Sequence, residues 1–339
     1  MKYFKSFTGL LLVAGIILGM GTELSHAQKK RAQTSMKFLS TSMNARASGM
    51  ASAYTSIETQ AQAMFYNPST MARMDGSVSA SGGMIQWIAD INYNAGAIAF
   101  KPFKGKYGVF GFNLVSVDYG DIMRTVVSDN EQGYEEVGTF SPNALSIGMG
   151  YARAITNQFS VGGNVKYVYQ DLGSVGSSPA EAGGYNTKGY TAGVVAVDFG
   201  VHYNTNWNSL NFAMSVRNFS PEVSFYEEAS ELPLTFRIGL SMDVINLTDL
   251  NNDMHKLMVS VDANRPRDYY EQILLGVEYT FMDRFILRGG VVTPHDQRTF
   301  SAGAGIIQPI GDLNMEVHYA YTPFDIFTNV NQLTVQFDI

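Results

Sequence analysis

Hydrophobic and polar positions alternate along most of the chain, from Ser77 to Ile339. The segment 313–321, LNMEVHYAY, has apolar side chains at its odd positions and mostly polar ones between them. The segment 332–339, QLTVQFDI, repeats the pattern. A period of two indicates β-strands whose two faces meet different surroundings. We expect the apolar phase to face lipid and the polar phase to face an internal lumen.

The alternation predicts fourteen strands, most of them about 9–13 residues long. Strands of soluble proteins have about five or six residues, whereas a tilted strand needs about 9–11 to cross a bilayer. The predicted fold is therefore all-β, a 14-stranded antiparallel transmembrane β-barrel with a short N-terminal helical plug. The predicted strands are 77–89, 91–101, 106–118, 143–154, 158–170, 190–203, 208–219, 234–244, 255–264, 271–281, 284–293, 298–308, 312–321 and 331–339.

The connections between these strands alternate in length. With both termini in the periplasm, the periplasmic turns are mostly short and the opposite loops are longer and polar, apart from a tight turn at Asp90. This asymmetry is typical of outer-membrane barrels, and closure gives every backbone polar group a partner in hydrocarbon. A secreted soluble β-sandwich or barrel remains the alternative. Aromatic residues near strand ends would suit interfacial girdles, with ordinary packing as the alternative for each; they are Trp87, Tyr93, Tyr119, Tyr151, Tyr203, Trp207, Tyr279 and Tyr321.

The first 27 residues have the organisation of a secretory signal peptide. Lys2 and Lys5 precede the apolar run 10–20, and Ser25-His26-Ala27 is a small-x-small cleavage site. The apolar run is shorter than the roughly 20 residues that span a bilayer, although an uncleaved anchor is the alternative. We therefore expect cleavage near Ala27 and an outer-membrane location. The predicted organisation is 1–27 signal peptide, 28–76 helical hatch or plug, and 77–339 barrel.

The segment from Phe38 to Met74 does not alternate and is rich in Ala, Met and Ser. This composition predicts one or two short helices interrupted at Asn67-Pro68, since a residue before proline disfavours helix and proline can open the next one. Fourteen strands enclose a lumen wider than their own side chains fill. We expect the segment to plug that lumen; a helical extension below the barrel is the alternative.

Composition narrows the function. Charged residues make up only 16% of the 339 residues, against about 25% in soluble domains, while the mean hydropathy of −0.04 is too polar for a bundle of membrane helices. The absence of cysteine excludes disulfides, thiolate metal sites and a lipidated cysteine. A net charge of −7 argues against nucleic acid. No catalytic motif or metal-ligand spacing is present, so we expect no enzymatic activity, catalytic residue, metal or cofactor. His202 and His318 should face the lumen.

Two groups of acidic residues fall in loops on the predicted outer side. We consider them either a solvated surface or a candidate docking surface for exported partners, in which charge would contribute. The candidate docking residues are Asp129, Glu131, Glu135, Glu136, Glu227 and Glu228.

The plug segment contains a series of short elements: Ala45-Arg46, Gly49-Met50, Tyr54, and Tyr66-Asn67-Pro68. Further elements follow in order, among them DYGDI at 118–122, GYAR at 150–153 and GNVKY at 163–167. In this order the chain resembles the PorV/PorQ family, relatives of FadL-type fatty-acid transporters, over nearly the whole mature sequence.

The resemblance implies a fourteen-stranded barrel with an N-terminal hatch and a role in type IX protein secretion. A PorV-like member would bind the translocon barrel and the C-terminal domains of exported cargo, with outer-membrane lipid around it. The alternative, typical of FadL relatives, is a transporter that carries hydrophobic small molecules across the outer membrane. Both functions require the same fold.

Overall fold

The computed structural model shows a closed barrel of fourteen antiparallel strands, which confirms the predicted fold class. The structure describes residues 34–179, 185–248, 254–295, 298, 300–325 and 327–339, so the predicted signal peptide lies outside the described residues. Among these residues no helix is long and apolar enough to cross a membrane.

Each barrel strand pairs with its neighbours in chain order, and the last strand pairs with the first. Two small hairpins, β4–β5 and β10–β11, stand apart from the ring. The strands are β1 Val78–Gln86, β2 Asn92–Phe100, β3 Val109–Asp118, β4 Ile122–Val127, β5 Tyr134–Phe140, β6 Asn143–Ala154, β7 Phe159–Pro179, β8 Tyr185–Asn204, β9 Asn211–Phe219, β10 Val223–Ser224, β11 Ala229–Ser230, β12 Thr235–Asp243, β13 His255–Pro266, β14 Gln272–Phe281, β15 Phe285–Thr293, β16 Phe300–Ile310, β17 Leu313–Thr322 and β18 Val330–Asp338.

All fourteen predicted barrel strands are present, and the differences fall in the long loops. β7 and β8 extend together into the predicted loop 171–189, with register shifts beginning after Asp171. The predicted loop 119–142 contains the hairpin β4–β5. Strand pairing therefore continues beyond the ring, because paired strands can go on satisfying each other's backbone groups above the ends of their neighbours.

The two faces of the strands have the predicted orientation. Along β3, inward and outward positions alternate without a break, and Phe110, Phe112 and Leu114 point outward with 40–52% of their surface exposed. His202 and His318 are fully buried in the lumen. The outer surface is thus an apolar wall and the inner surface is largely polar, which is the construction of an outer-membrane barrel.

Three aromatic residues expected in the interfacial girdles point into the barrel instead. Tyr93 is buried on the inward phase of β2, and Trp87 and Tyr119 line an internal cavity beside it. The girdle prediction is wrong for these three residues, because Tyr93 lies on the inward phase and the other two follow strand ends, where the alternation no longer sets their direction.

The plug segment contains four short helices where one or two were predicted. They are the 3-10 helices Lys37–Ser40, Ala61–Phe65 and Pro68–Arg73 and the α-helix α1, Ala45–Gly49. Asn67 caps the last of these, its side chain accepting from the backbone N–H of Ser69, and Pro68 opens it as predicted. Helices this short are marginal by themselves, so contacts with the barrel wall hold their shape.

The plug runs through the barrel from one end to the other. Thr34 forms a bridge with Glu231 at the end that carries the long loops, called here the outer end, whereas Ser77 bonds to Ile339 at the end with the short turns. The expectation that the N-terminal part begins at the periplasmic end is therefore wrong at residue 34. The alternative of a helical extension below the barrel is wrong for the same reason.

Candidate functional site

The plug residues singled out in the sequence lie together inside the ring of strands. All are buried except Arg46, which is half-buried. They are Ala45, Arg46, Gly49, Met50, Tyr54, Tyr66, Asn67 and Pro68.

The first part of the plug is attached to the wall by ionic and polar contacts. The guanidinium of Arg46 donates two hydrogen bonds to the carboxylate of Glu278 on β14. Arg288 on β15 donates to the same carboxylate. The backbone N–H of Ala45 donates to Oγ1 of Thr334 at 3.0 Å. Charge-assisted, bidentate bonds of this kind are the strong ones in a protein interior.

The middle of the plug turns around one carboxylate of the wall. Oδ2 of Asp262, on β13, accepts from the backbone N–H groups of Tyr54 and Thr55 at 3.0 Å each and from the Thr55 hydroxyl at 2.6 Å. The Tyr54 ring packs edge-on against Tyr66, with 5.0 Å between centroids. Asn67 donates to the carbonyls of Thr55 and of Val201 on β8. The polar phase of the strands therefore serves as the seat of the plug.

A close approach of backbone to wall occurs where Met50 and Ala51 pass β15. A β-carbon on Gly290 would collide with the backbone of both residues. The next glycine, Gly289, points outward and has nothing within 4 Å of such a carbon. Glycine at 290 thus lets the plug contact the wall directly.

Above the plug, at the outer end, lies a cavity of about 730 Å³, called here the outer cavity. Its floor comes from the first residues of the plug, including Phe38 and Leu39, and its walls come from the upper ends of strands and the outer loops. Small-molecule sites commonly measure about 300–1,000 Å³. The outer cavity is therefore of a size to enclose a small ligand.

One wall of the outer cavity is aromatic and aliphatic. Trp87 packs edge-on against Tyr93 and Phe324, with centroids 6.1 and 5.5 Å away. Ile88, Ile91 and Tyr119 extend the same wall. Burial raises the pKa of Tyr119 above its usual value, so its hydroxyl stays neutral.

Another part of the lining carries positive charge. Arg217 on β9, Arg237 on β12 and Arg298 in the loop after β15 all face the outer cavity. Burial lowers the pKa of Arg298 to about 10, which leaves it charged at neutral pH. Lys37 also lines the cavity and is paired with Asp268.

The candidate docking residues lie on two separate outer hairpins. Asp129 and Glu131 are in the turn between β4 and β5, and Glu135 and Glu136 are on β5. Glu227 and Glu228 lie between β10 and β11. All six are exposed. Among the described residues, no cluster of His, Asp and Glu could hold a metal ion.

The sequence patterns do not identify the outer cavity, although part of its lining carries a signal. Arg217 and Arg237 lie on the polar phase of predicted strands, where a charge inside a barrel needs a partner or a role. The positions of Trp87, Tyr93 and Tyr119 near strand ends suit the girdles rather than a cavity. Which side chains share a cavity depends on closure of the ring, because strands distant in the chain then face one another.

Solved structures of other proteins share this fold. No family model and no curated protein matches the sequence. The chain is similar to the toluene transporter TbuX of Ralstonia pickettii, with 12% identity over 87% of this chain and 97% of that chain and a TM-score of 0.57. It is also similar to the toluene transporter TodX of Pseudomonas putida, with 11% identity over 86% and 96% and a TM-score of 0.57.

A FadL homologue of Pseudomonas aeruginosa is 14% identical over 87% of this chain and 98% of that chain, with a TM-score of 0.51. At these identities the likeness concerns the fold alone. The chain has a FadL-like barrel, which is the fold that the PorV/PorQ resemblance implies.

Proposed function

We propose that this protein binds hydrophobic small molecules at the outer end of its barrel and passes them across the outer membrane. The observation that carries the proposal is the aromatic wall of the outer cavity. Trp87, Tyr93 and Phe324 present apolar surface to a cavity inside the barrel. Such a surface gains free energy by covering an apolar ligand, at about 25 cal/mol per Å².

The names of proteins with a similar fold support this function. Solved structures of similar fold include proteins named as toluene transporters and as a monoaromatic hydrocarbon channel. We therefore favour transport, and a non-enzymatic role, as the activity of this barrel. The plug motif would then close the lumen below the ligand, because its residues contact β13, β14 and β15 at once.

Binding of a neutral fluorescent naphthylamine to the purified protein in non-ionic detergent tests the proposal. We expect Trp87→Ala and Phe324→Ala to weaken binding roughly tenfold each, about 1.4 kcal/mol. Phe112→Ala, which removes an aromatic ring from the lipid-facing surface, is the control and should bind normally. Equal binding by all three variants would contradict a site in the outer cavity.

Secretion of type IX cargo is the second candidate function. It is favoured by the ordered motifs of the PorV/PorQ resemblance and by the exposed acidic hairpins. In this case the translocon barrel and cargo C-terminal domains would bind the hairpins that carry Glu135 and Glu227. Deletion of the gene should then trap type IX cargo in the periplasm, whereas normal secretion with impaired uptake of hydrophobic compounds would support transport alone.

A further inference from the structure

The aromatic wall and the arginines of the outer cavity belong to opposite sides of the barrel. Trp87 follows β1, and Arg237 lies on β12. In the ring of fourteen strands, β12 is seven strands from β1 in either direction. Arg217 lies on β9, the neighbour of β12. A ligand in the cavity therefore meets apolar surface on one side and guanidinium groups on the other.

Among the described residues, Arg217 and Arg237 have no carboxylate within ion-pair distance. Arg237 donates only to neutral oxygens, the Asn264 side chain and the Ser52 carbonyl, at 3.0 Å each. Arg217 donates to the Leu39 carbonyl at 3.4 Å and lies over the Tyr66 ring, 5.7 Å from its centroid. Its buried Nε has no hydrogen-bond partner among the described residues. Neither arginine forms an ion pair within the part of the chain that the structure describes. The charge of Arg217 acts repulsively on Arg237, the charge of Asp262 acts attractively, and the charge of Arg298 adds a smaller repulsion.

The balance of charge in the described lining is strongly positive. Four cationic side chains, Lys37, Arg217, Arg237 and Arg298, face a single carboxylate, Asp268. That carboxylate is already engaged by Lys37 and Thr34. The buried Nε of Arg298 has no hydrogen-bond partner within the part of the chain that the structure describes. Charge that is buried without a close partner costs free energy, so an anionic occupant would offset that cost.

We infer that the outer cavity takes an amphipathic anion whose head group carries two negative charges, a phosphomonoester in chemical class. The head group lies toward Arg217 and Arg237, and the apolar body lies against Trp87 and Phe324. A single negative charge would leave most of the positive charge unmatched, whereas a phosphomonoester carries about −1.5 to −2 at neutral pH. Planar guanidinium groups also match phosphate oxygens in geometry. The inference rests on the proposed function and specifies its ligand.

Three probes with the same chain test this inference: dodecyl phosphate, dodecanoate and dodecanol. The full mature protein carries Trp207→Phe, so that Trp87 is its one tryptophan, and Trp87 fluorescence in non-ionic detergent reports binding. We expect dodecyl phosphate to bind roughly tenfold more tightly than dodecanoate and roughly a hundredfold more tightly than dodecanol. Higher salt should weaken only the two anions, because screening acts on charge.

Variants that lack the guanidinium groups test binding of the anionic head group separately from binding of the apolar body. Arg217→Gln and Arg237→Gln should each weaken dodecyl phosphate roughly tenfold and leave dodecanol unchanged. Arg298→Gln, in a loop, does the same without touching the plug. Arg265→Gln is the matched control, since Arg265 lies at the outer end with its side chain 74% exposed, and it should bind normally. The gel mobility of unheated and heated samples verifies that each barrel is folded.

The possible outcomes distinguish failure of this inference from failure of the proposed function on which it rests. Equal affinity for dodecyl phosphate and dodecanoate would overturn the doubly charged head group. Equal affinity for all three probes, or equal losses of dodecanol and dodecyl phosphate in the arginine variants, would overturn the anion while leaving a hydrophobic ligand. If no probe changes Trp87 fluorescence, the proposed function fails as well.

Discussion

Arg46 of the plug and Glu278 of β14 form a bidentate ion pair inside the barrel, with Nε–Oε2 and Nη2–Oε1 distances of 2.8 and 2.6 Å. Arg288 on the adjacent strand donates to the same carboxylate at 2.5 Å. Glu278 is almost fully buried. One carboxylate of the wall therefore binds the plug on one side and a neighbouring strand on the other, so the attachment of the plug is tied to the stability of the barrel itself.

Loss of this pair should destabilise the protein. Removing one partner of a buried pair leaves an uncompensated charge and typically costs about 3–5 kcal/mol. We expect the loss of stability in Glu278→Ala to fall in that range, because the variant leaves two arginines without their carboxylate. The free energy of unfolding in guanidinium measures it. Lys256→Ala is the control: Lys256 and Asp283 form an exposed pair, worth about 0–1 kcal/mol. Similar losses in both variants would contradict a special role for Glu278.

A side chain in place of Gly290, which contacts the backbone of Met50, should displace the plug from the wall. Gly290→Ala places a methyl group against the backbone of Met50 and Ala51, whereas Gly289→Ala places one on the open outer surface. We expect only the first variant to raise the permeability of proteoliposomes to small sugars, because only it separates plug from wall. Unchanged permeability and unchanged protease resistance of the plug in Gly290→Ala would show that the plug adjusts within its seat.

Asn67 should be a larger contributor to stability than its size suggests. Its amide donates to the carbonyls of Thr55 and Val201, and its oxygen accepts from Ser69, while the residue is buried. Asn67→Ala would leave buried groups unsatisfied, at about 1–3 kcal/mol, measured as a shift in the unfolding midpoint. Asn92→Ala, which removes an exposed bond to the Asp90 carbonyl, serves as the control and should change stability little.

Deletion of residues 38–74 should open the lumen. The described part of this segment fills the barrel between the outer and periplasmic ends, so its loss should raise single-channel conductance in planar bilayers. Deletion of residues 123–139, most of the β4–β5 hairpin, removes protein outside the ring and should leave conductance unchanged. A closed channel after loss of the plug would mean that the wall or the outer loops seal the barrel.

Much of the fold could be predicted because a strand between lipid and lumen alternates between apolar and polar residues. The polar phase of β17 and β18 turns inward as its sequence indicates. The helices of the plug were less predictable: short helices have weak local signals, and the shape of Lys37–Ser40 or Ala61–Phe65 follows from what the wall offers to each turn.

The candidate site could also be predicted only in part. The motif around Arg46 and Asn67 is visible in the sequence, and the alternation places Arg217 and Arg237 on inward faces. The partner of Arg46, however, is 232 residues away in the chain. No local sequence pattern places the ring of Trp87 in the outer cavity. It lies there because the turn after β1 folds over the lumen.

Local sequence patterns establish which strand positions face lipid, how many strands cross, and that a non-alternating segment precedes them, because each of these depends on the solvent on either side of a short stretch of chain. The entry of the plug from the outer end, and the position of the arginine wall opposite the aromatic one, follow from the three-dimensional fold. Those relationships arise when β1 pairs with β18, since closure of the ring sets the distance between side chains that lie far apart in the chain.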